Sequence, residues 1–144
     1  MKVLFIGDIF GEPGRRAVAR AVPKLVAQRQ IDVVIGNGEN AAGGFGITPE
    51  LAEELFDLGL AVITTGNHAW DKKEILDYFP REPRLLRPAN YPNGVPGYGS
   101  VVVESAGGEQ LGVLQLMGRA YMPTLDCPFQ VAKKELAALK KRTV

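Results

Sequence analysis

Histidine and cysteine are almost missing from this chain. Its 144 residues hold one of each, His68 and Cys127. A single cysteine excludes an internal disulfide and a thiolate-rich metal cluster. It does not demand an oxidising compartment. An excess of one charge is missing too: 17 Lys and Arg against 16 Asp and Glu give a formal net charge of +1. Nothing marks a nucleic-acid track or a surface for anionic membranes. The short cluster Lys140-Lys141-Arg142 reads as a solvated helix end, where positive charge suits the helix dipole. No apolar run approaches the roughly 18 residues that span a bilayer. The opening MKVLFIGD is too short for a signal-peptide apolar region and reaches an acid at position 8. A soluble, cytoplasmic protein with no membrane or DNA partner is the expectation.

What is present is an alternation of short apolar runs and helical stretches. KVLFIG (2–7), IDVVIGNG (31–38) and LAVITTGN (60–67) are β-branched, apolar and closed by glycine, and read as buried strands. A helix is expected over about 14–29, with Val18, Val22, Leu25 and Val26 on one face. Pro23 either kinks it or starts a second turn. Thr48 and Pro49 are a good N-cap and first helical residue, and Gly59 a natural C-terminal stop. Asp71 and Glu74 have capping-box spacing for a short helix over about 71–79. The proline-rich section 80–100 is mostly loop, with a short strand at 84–87. SVVVES and QLGVLQLM flank AGGE as a hairpin. Phe129, Ala132, Leu136 and Leu139 mark a final amphipathic helix. The pattern is α/β.

The three expected strands end in GD (7–8), GEN (38–40) and GNH (66–68). Ligands of parallel sheets bind at the carboxyl ends of the strands. If the three strands lie side by side, Asp8, Glu39, Asn40, Asn67 and His68 converge. Carboxylates, an amide oxygen and an imidazole suit divalent ions such as manganese, iron or zinc. Paired ions of that kind clamp a phosphoryl group and activate water. Each piece also has a plainer reading: an aspartate after a first strand is often a cap, and Glu39 could simply start a turn. GGFG (43–46) lacks the P-loop lysine and reads as a flexible loop. GNH is the most specific of the three, because a core histidine more often sits inside an apolar run.

LFIGDIFGEPGR (4–15), NGENAAGGFGIT (37–48), TTGNHAWDKKEI (64–75), RPANYPNGVPG (87–97) and GRAYMPTLDCPF (118–129) resemble the YmdB-like branch of the calcineurin-like metallophosphoesterases. The resemblance implies the N-terminal half of a four-layer α-β-β-α sandwich with a dinuclear centre at the strand ends. It implies phosphodiester hydrolysis, with a small phosphodiester or cyclic nucleotide as substrate. It implies two divalent ions, iron or manganese, with zinc and magnesium as alternatives. By position, Asp8 corresponds to a ligand of one ion, Glu39 to the bridging carboxylate, and Asn40 and Asn67 to further ligands. His68 corresponds to the general acid or a donor to the transition state.

The chain departs from the wider superfamily in three places. Phe10 stands where D-x-H has its histidine, Glu39 replaces the usual bridging aspartate, and Ala69 replaces the acid that usually follows GNH. These are themselves features of the YmdB-like branch. Asp71 is at best a substitute for orienting the imidazole. Family members are nearly twice as long, and their second half carries histidine ligands, two of them in G-x-H-x-H. The 1–144 domain is therefore expected to be incomplete at its C-terminus, and this chain alone to hydrolyse little or nothing. A homo-oligomer could complete it. Two further readings stand beside this one: a non-catalytic binding or interaction fragment, and a metal-free, flavodoxin-like nucleotide-binding domain.

Overall fold

Four strands form a parallel sheet in the order of the chain. They are β1 (Val3–Ile6), β2 (Val33–Asn37), β3 (Val62–Thr64) and β4 (Leu85–Leu86), adjacent as β1-β2-β3-β4. The computed structural model describes residues 1–143, so Val144, where the expected break in the domain falls, lies outside the described residues. A flavodoxin-like sheet reverses its strand order at a switch point. Among the described residues this sheet has no reversal, and its order is not the flavodoxin-like one.

The alternation within the strands assigns two faces. Val34, Ile63 and Leu85 join one core cluster with Val18 and Val22 of α1 (Gly11–Arg29) and Leu55 and Phe56 of α2 (Pro49–Asp57). Val33, Ile35, Val62 and Leu86 point the other way and meet Val101, Val103, Leu111 and Val113. Those four lie on an antiparallel hairpin, β5 (Ser100–Glu104) and β6 (Gln110–Leu114). Each fully buried Val, Leu or Ile contributes about 1.5–3 kcal/mol. On the outer side of the hairpin lies α3 (Pro128–Lys140), with Leu139 buried over Gly112. The layers run helix, sheet, hairpin, helix, which is the expected α-β-β-α stacking.

Local chemistry accounts for the element ends. The Thr48 hydroxyl accepts from Leu51 N–H at 3.3 Å, Pro49 follows, and Gly59 at φ +98° ends α2. Helix α1 differs from expectation by starting at Gly11 (φ +54°) and running without a break through Pro23. Ala19, whose carbonyl loses its partner at Pro23, is exposed, so water can take that bond. The expected helix over 71–79 is reduced to a 3-10 turn at Lys73–Ile75. On α3 only Leu139 is buried; Leu136 is 48% and Phe129 81% exposed, because a two-stranded hairpin covers a narrow stripe of the helix.

Buried Asn90 holds the loop section to the layers. Its Nδ2 donates to Met117 O at 2.8 Å and to Asp126 O at 3.1 Å, and its Oδ1 accepts from Met117 N–H at 2.9 Å. At the opposite side of the sheet, β1 pairs with β2 alone among the described residues. Its Val3 and Phe5 share the hairpin-side face but lie beyond the hairpin, 44% and 59% exposed. Along the other face of β1, Ile6, Ala17, Ala21 and Leu25 line an open apolar groove of about 280 Å³. No helix among the described residues is long and apolar enough to cross a membrane.

Candidate functional site

The parallel register brings the carboxyl ends of β1, β2 and β3 to one edge, and the loops that follow them are tied together by backbone bonds. Ile9 N–H donates to Asn37 O at 2.9 Å, Gly38 N–H to Thr64 O at 3.0 Å, and Gly11 N–H to Asn40 O at 2.9 Å. Asp8 sits in the left-handed region at φ 41°, a conformation that short polar side chains tolerate best. There its Oδ1 accepts from Asn40 Nδ2 at 2.7 Å.

Glu39 reaches across to the third loop. Its Oε2 accepts from the backbone N–H of His68 at 3.2 Å, and its Oε1 accepts from Asn37 Nδ2 at 3.3 Å. The carboxylate lies flat on Gly66. A Cβ there would fall 2.6 Å from Oε2 and 2.9 Å from Oε1, so any side chain at 66 would push the carboxylate out of this position. That close approach is a physical reason for glycine in GNH.

The imidazole of His68 is held from behind. Its Nδ1 lies 2.6 Å from Asp71 Oδ2. An ionised carboxylate only accepts, so in the neutral ring Nδ1 carries the hydrogen and Nε2 is the free nitrogen. This bond also explains the missing helix over 71–79: the Asp71 carboxylate is committed to His68 and does not cap a helix. The Phe45 ring packs edge-on against the imidazole, with centroids 5.4 Å apart and planes at 79°.

Four of the five residues read from the sequence are thus linked in pairs: Asp8 with Asn40, and Glu39 with His68. The fifth, Asn67, lies between Gly66 and His68, exposed and with no side-chain hydrogen bond among the described residues. Asn37, which supports Glu39, was not singled out from the sequence. Its signal is the position two residues before Glu39, which puts both side chains on one side of the strand end. The GGFG stretch is also firmer than a flexible loop. Ala42 N–H donates to Gly46 O and Gly44 N–H to Asn40 O, both at 2.9 Å, and Arg15 Nη1 clamps Ala41 O at 2.6 Å.

The donors at this edge fit a divalent cation. Asn37 Oδ1 and Asn40 Oδ1 are buried and have no hydrogen-bond partner. A buried polar atom left unpaired costs about 1–3 kcal/mol, which a bound cation would relieve. Two amide oxygens beside two carboxylates form a hard, all-oxygen donor set. The set is incomplete: among the described residues no three His, Cys, Asp or Glu side chains converge to hold an ion.

A family model described as YmdB-like protein matches residues 4–144. A 2′,3′-cyclic-nucleotide 2′-phosphodiesterase of Bacillus subtilis is 48% identical over 143 residues, covering 99% of this chain and 54% of that protein. A hypothetical protein from Thermus thermophilus has a crystal structure that superimposes with a TM-score of 0.87 at 43% identity, covering 95% of this chain and 53% of the other. A novel phosphatase from Mycoplasma pneumoniae superimposes with a TM-score of 0.86 at 30% identity, covering 96% and 51%. The chain therefore spans about half the length of each of these relatives.

Proposed function

The chain belongs to the YmdB-like protein family, and from that premise we propose that it supplies half of the active site of a metal-dependent phosphodiesterase. The substrate class is a small phosphodiester, with cyclic nucleotides foremost. The observation that carries this reading is the meeting of Asp8, Asn40, Glu39 and His68 at three adjacent strand ends, with Asp71 behind the imidazole.

Asp8, Glu39, Asn40 and Asn67 are the residues that would hold the metal, with Glu39 placed to be shared between two ions. Two divalent ions, iron or manganese, with zinc and magnesium as alternatives, would supply polarisation of the phosphoryl oxygens and activation of water when bound. The chain's own residues do the rest. Gly66 lets Glu39 lie close, and the His68 N–H fixes its carboxylate. Asn40 orients Asp8. His68, once protonated at Nε2, gives that proton to the leaving oxygen as the diester bond breaks. Asp71 holds the ring in place through Nδ1.

His68 is the single histidine, so no second imidazole ligand is available within the chain. The isolated chain is therefore a weak catalyst or none, and the missing ligands come from a further polypeptide segment. The test is hydrolysis of bis-(p-nitrophenyl) phosphate and 2′,3′-cyclic nucleotides with manganese. It compares this chain with a longer protein of the relatives' full length that contains it. We expect metal-dependent turnover from the longer protein. There, His68→Ala abolishes most turnover and keeps the metal, and Asp8→Asn loses metal. Normal turnover by His68→Ala removes the general-acid role, and unchanged metal content in Asp8→Asn removes the ligand role. Family-typical rates from the isolated chain contradict its incompleteness.

A second reading, an interaction fragment without catalysis, is favoured by one observation: the exposed Val3 and Phe5 on the unpaired edge strand.

A further inference from the structure

We propose that Phe45, with Phe10 beside it, is a stacking platform for a nucleobase, a role that rests on the phosphodiesterase reading above. It makes the substrate a nucleoside phosphodiester and distinguishes it from diesters without a base.

Two phenyl rings are turned outward at the site edge. Phe45 is 61% exposed and Phe10 56%. Phe45 touches the His68 imidazole, and Phe10 follows Asp8 by two residues. The Phe10 ring rests on Gly44, the residue before Phe45; a Cβ on Gly44 would lie 2.6 Å from Phe10 Cζ. The two rings therefore border the loops that carry Asp8, Glu39 and His68.

The rings are also held in place. Gly44 at φ +99° and Gly46 at φ +77° flank Phe45 in conformations that side chains resist. The two cross-loop bonds to Asn40 O and from Ala42 N–H close the turn. Gly46 packs against residues 71 and 72, where a Cβ would meet Lys72 Cγ at 2.9 Å, Asp71 Cβ at 3.2 Å and Lys72 N at 3.3 Å. The same segment thus fixes both Phe45 and the acid that orients His68.

An exposed phenyl ring in a rigid turn leaves apolar surface in water that a flat partner can cover. Every nucleobase has a π-face, so stacking selects bases as a class without reading their identity. In a nucleoside cyclic phosphate the base and the phosphorus sit on one ribose. A base on Phe45 and a phosphoryl group beside His68, whose ring centroid lies 5.4 Å from that of Phe45, are therefore within the span of one nucleotide.

The test uses the purified chain with magnesium as a diamagnetic ion, observed through the imidazole proton signals of its single histidine. Two ligands are titrated: 2′,3′-cyclic AMP, and the 2,3-cyclic phosphate of 1-O-methylribose, which has the same diester and no base. We expect the adenine ligand to bind about fivefold or more tightly. Phe45→Leu, which keeps apolar bulk without the π-system, brings the ratio near one, and Phe45→Trp restores it. Equal binding of both ligands by the unaltered protein, or a preference kept by Phe45→Leu, overturns the platform and leaves the phosphodiesterase reading standing. If neither ligand moves the His68 signals, the platform on this chain is overturned, while the phosphodiesterase reading stands or falls on turnover by the longer protein.

Discussion

His68 Nδ1 and Asp71 Oδ2 lie 2.6 Å apart, three residues along the chain, with no helix between them. The wider superfamily pattern puts an acid directly after GNH, and this chain has buried Ala69 there. Turning the chain through a bend at 69–71 returns a carboxylate to the ring from the next available position. The bond fixes which nitrogen of the neutral imidazole carries hydrogen. Asp71→Ala is expected to relax the ring toward the Nε2–H form, read directly from the nitrogen shifts of the single imidazole. In a catalytically complete protein the same change is expected to lower kcat by about tenfold or more with little change in KM. An unaltered tautomer balance contradicts the positioning role.

Gly66→Ala tests the seat of Glu39. The added methyl meets both carboxylate oxygens inside 3.0 Å. The carboxylate is the end of a flexible side chain and moves aside, so the Glu39–His68 bond is lost at a cost of about 1 kcal/mol. Gly7→Ala is the control, since nothing lies within 4 Å of its Cβ position and its backbone is not left-handed. We expect urea unfolding to show a clear loss for the first and a change within about 0.5 kcal/mol for the second. Equal stability of the two variants contradicts the close seat.

The ion pair at the end of the core should report on acid stability. Arg84 Nε and Nη2 donate to Glu82 at 2.8 and 2.6 Å, and the guanidinium lies 4.1 Å over the Phe56 ring. Arg84 therefore holds the Glu82 carboxyl below the usual carboxylate range, against the opposing effect of burial. A carboxyl whose folded pKa is depressed stabilises the fold above its unfolded value and loses that contribution as pH falls. Glu82→Gln is expected to cost about 0.5–1 kcal/mol near pH 7, and this difference shrinks from about pH 5 downward. A constant difference across that range contradicts the linkage.

The edge strand predicts self-association. Phe5 and Val3 expose apolar surface on β1, whose outer edge has no strand partner among the described residues. Edges of this kind invite pairing with another chain, and charge on the edge suppresses it. The isolated chain is expected to associate with rising concentration in sedimentation velocity, and Phe5→Lys to shift it toward monomer. A wild-type chain that stays monomeric at high concentration contradicts this.

Much of the fold could be read from the residue pattern, because its signals are local. The β-branched runs ending in glycine became β1, β2 and β3, and Thr48, Pro49 and Gly59 bounded α2 as their backbone chemistry requires. What escaped depends on contacts between distant segments. Asp71 carried two readings, a helix cap and at best a substitute for orienting the imidazole, and the 2.6 Å contact with His68 Nδ1 selects the second. The expected buried stripe of α3 shrank to Leu139, since the width of its partner layer is not a local property. The firmness of the 40–46 loop rests on Arg15, about 26 residues away on α1. At the site, the glycine of GNH closes a strand by its pattern, and the carboxylate that lies on it comes from another loop and is visible only in the fold.

The unreversed strand order has a consequence for synthesis. Each strand pairs with the one made just before it: Val33 with Val3, Val62 with Ile35, Leu85 with Ile63. Nothing in the sheet must wait for a later strand to be inserted between two earlier ones. Domains form during translation as their segments emerge from the ribosome. By the time Asp71 is out, every side chain placed at this site has been made, so the half-site can assemble on a nascent chain while later residues are still being added.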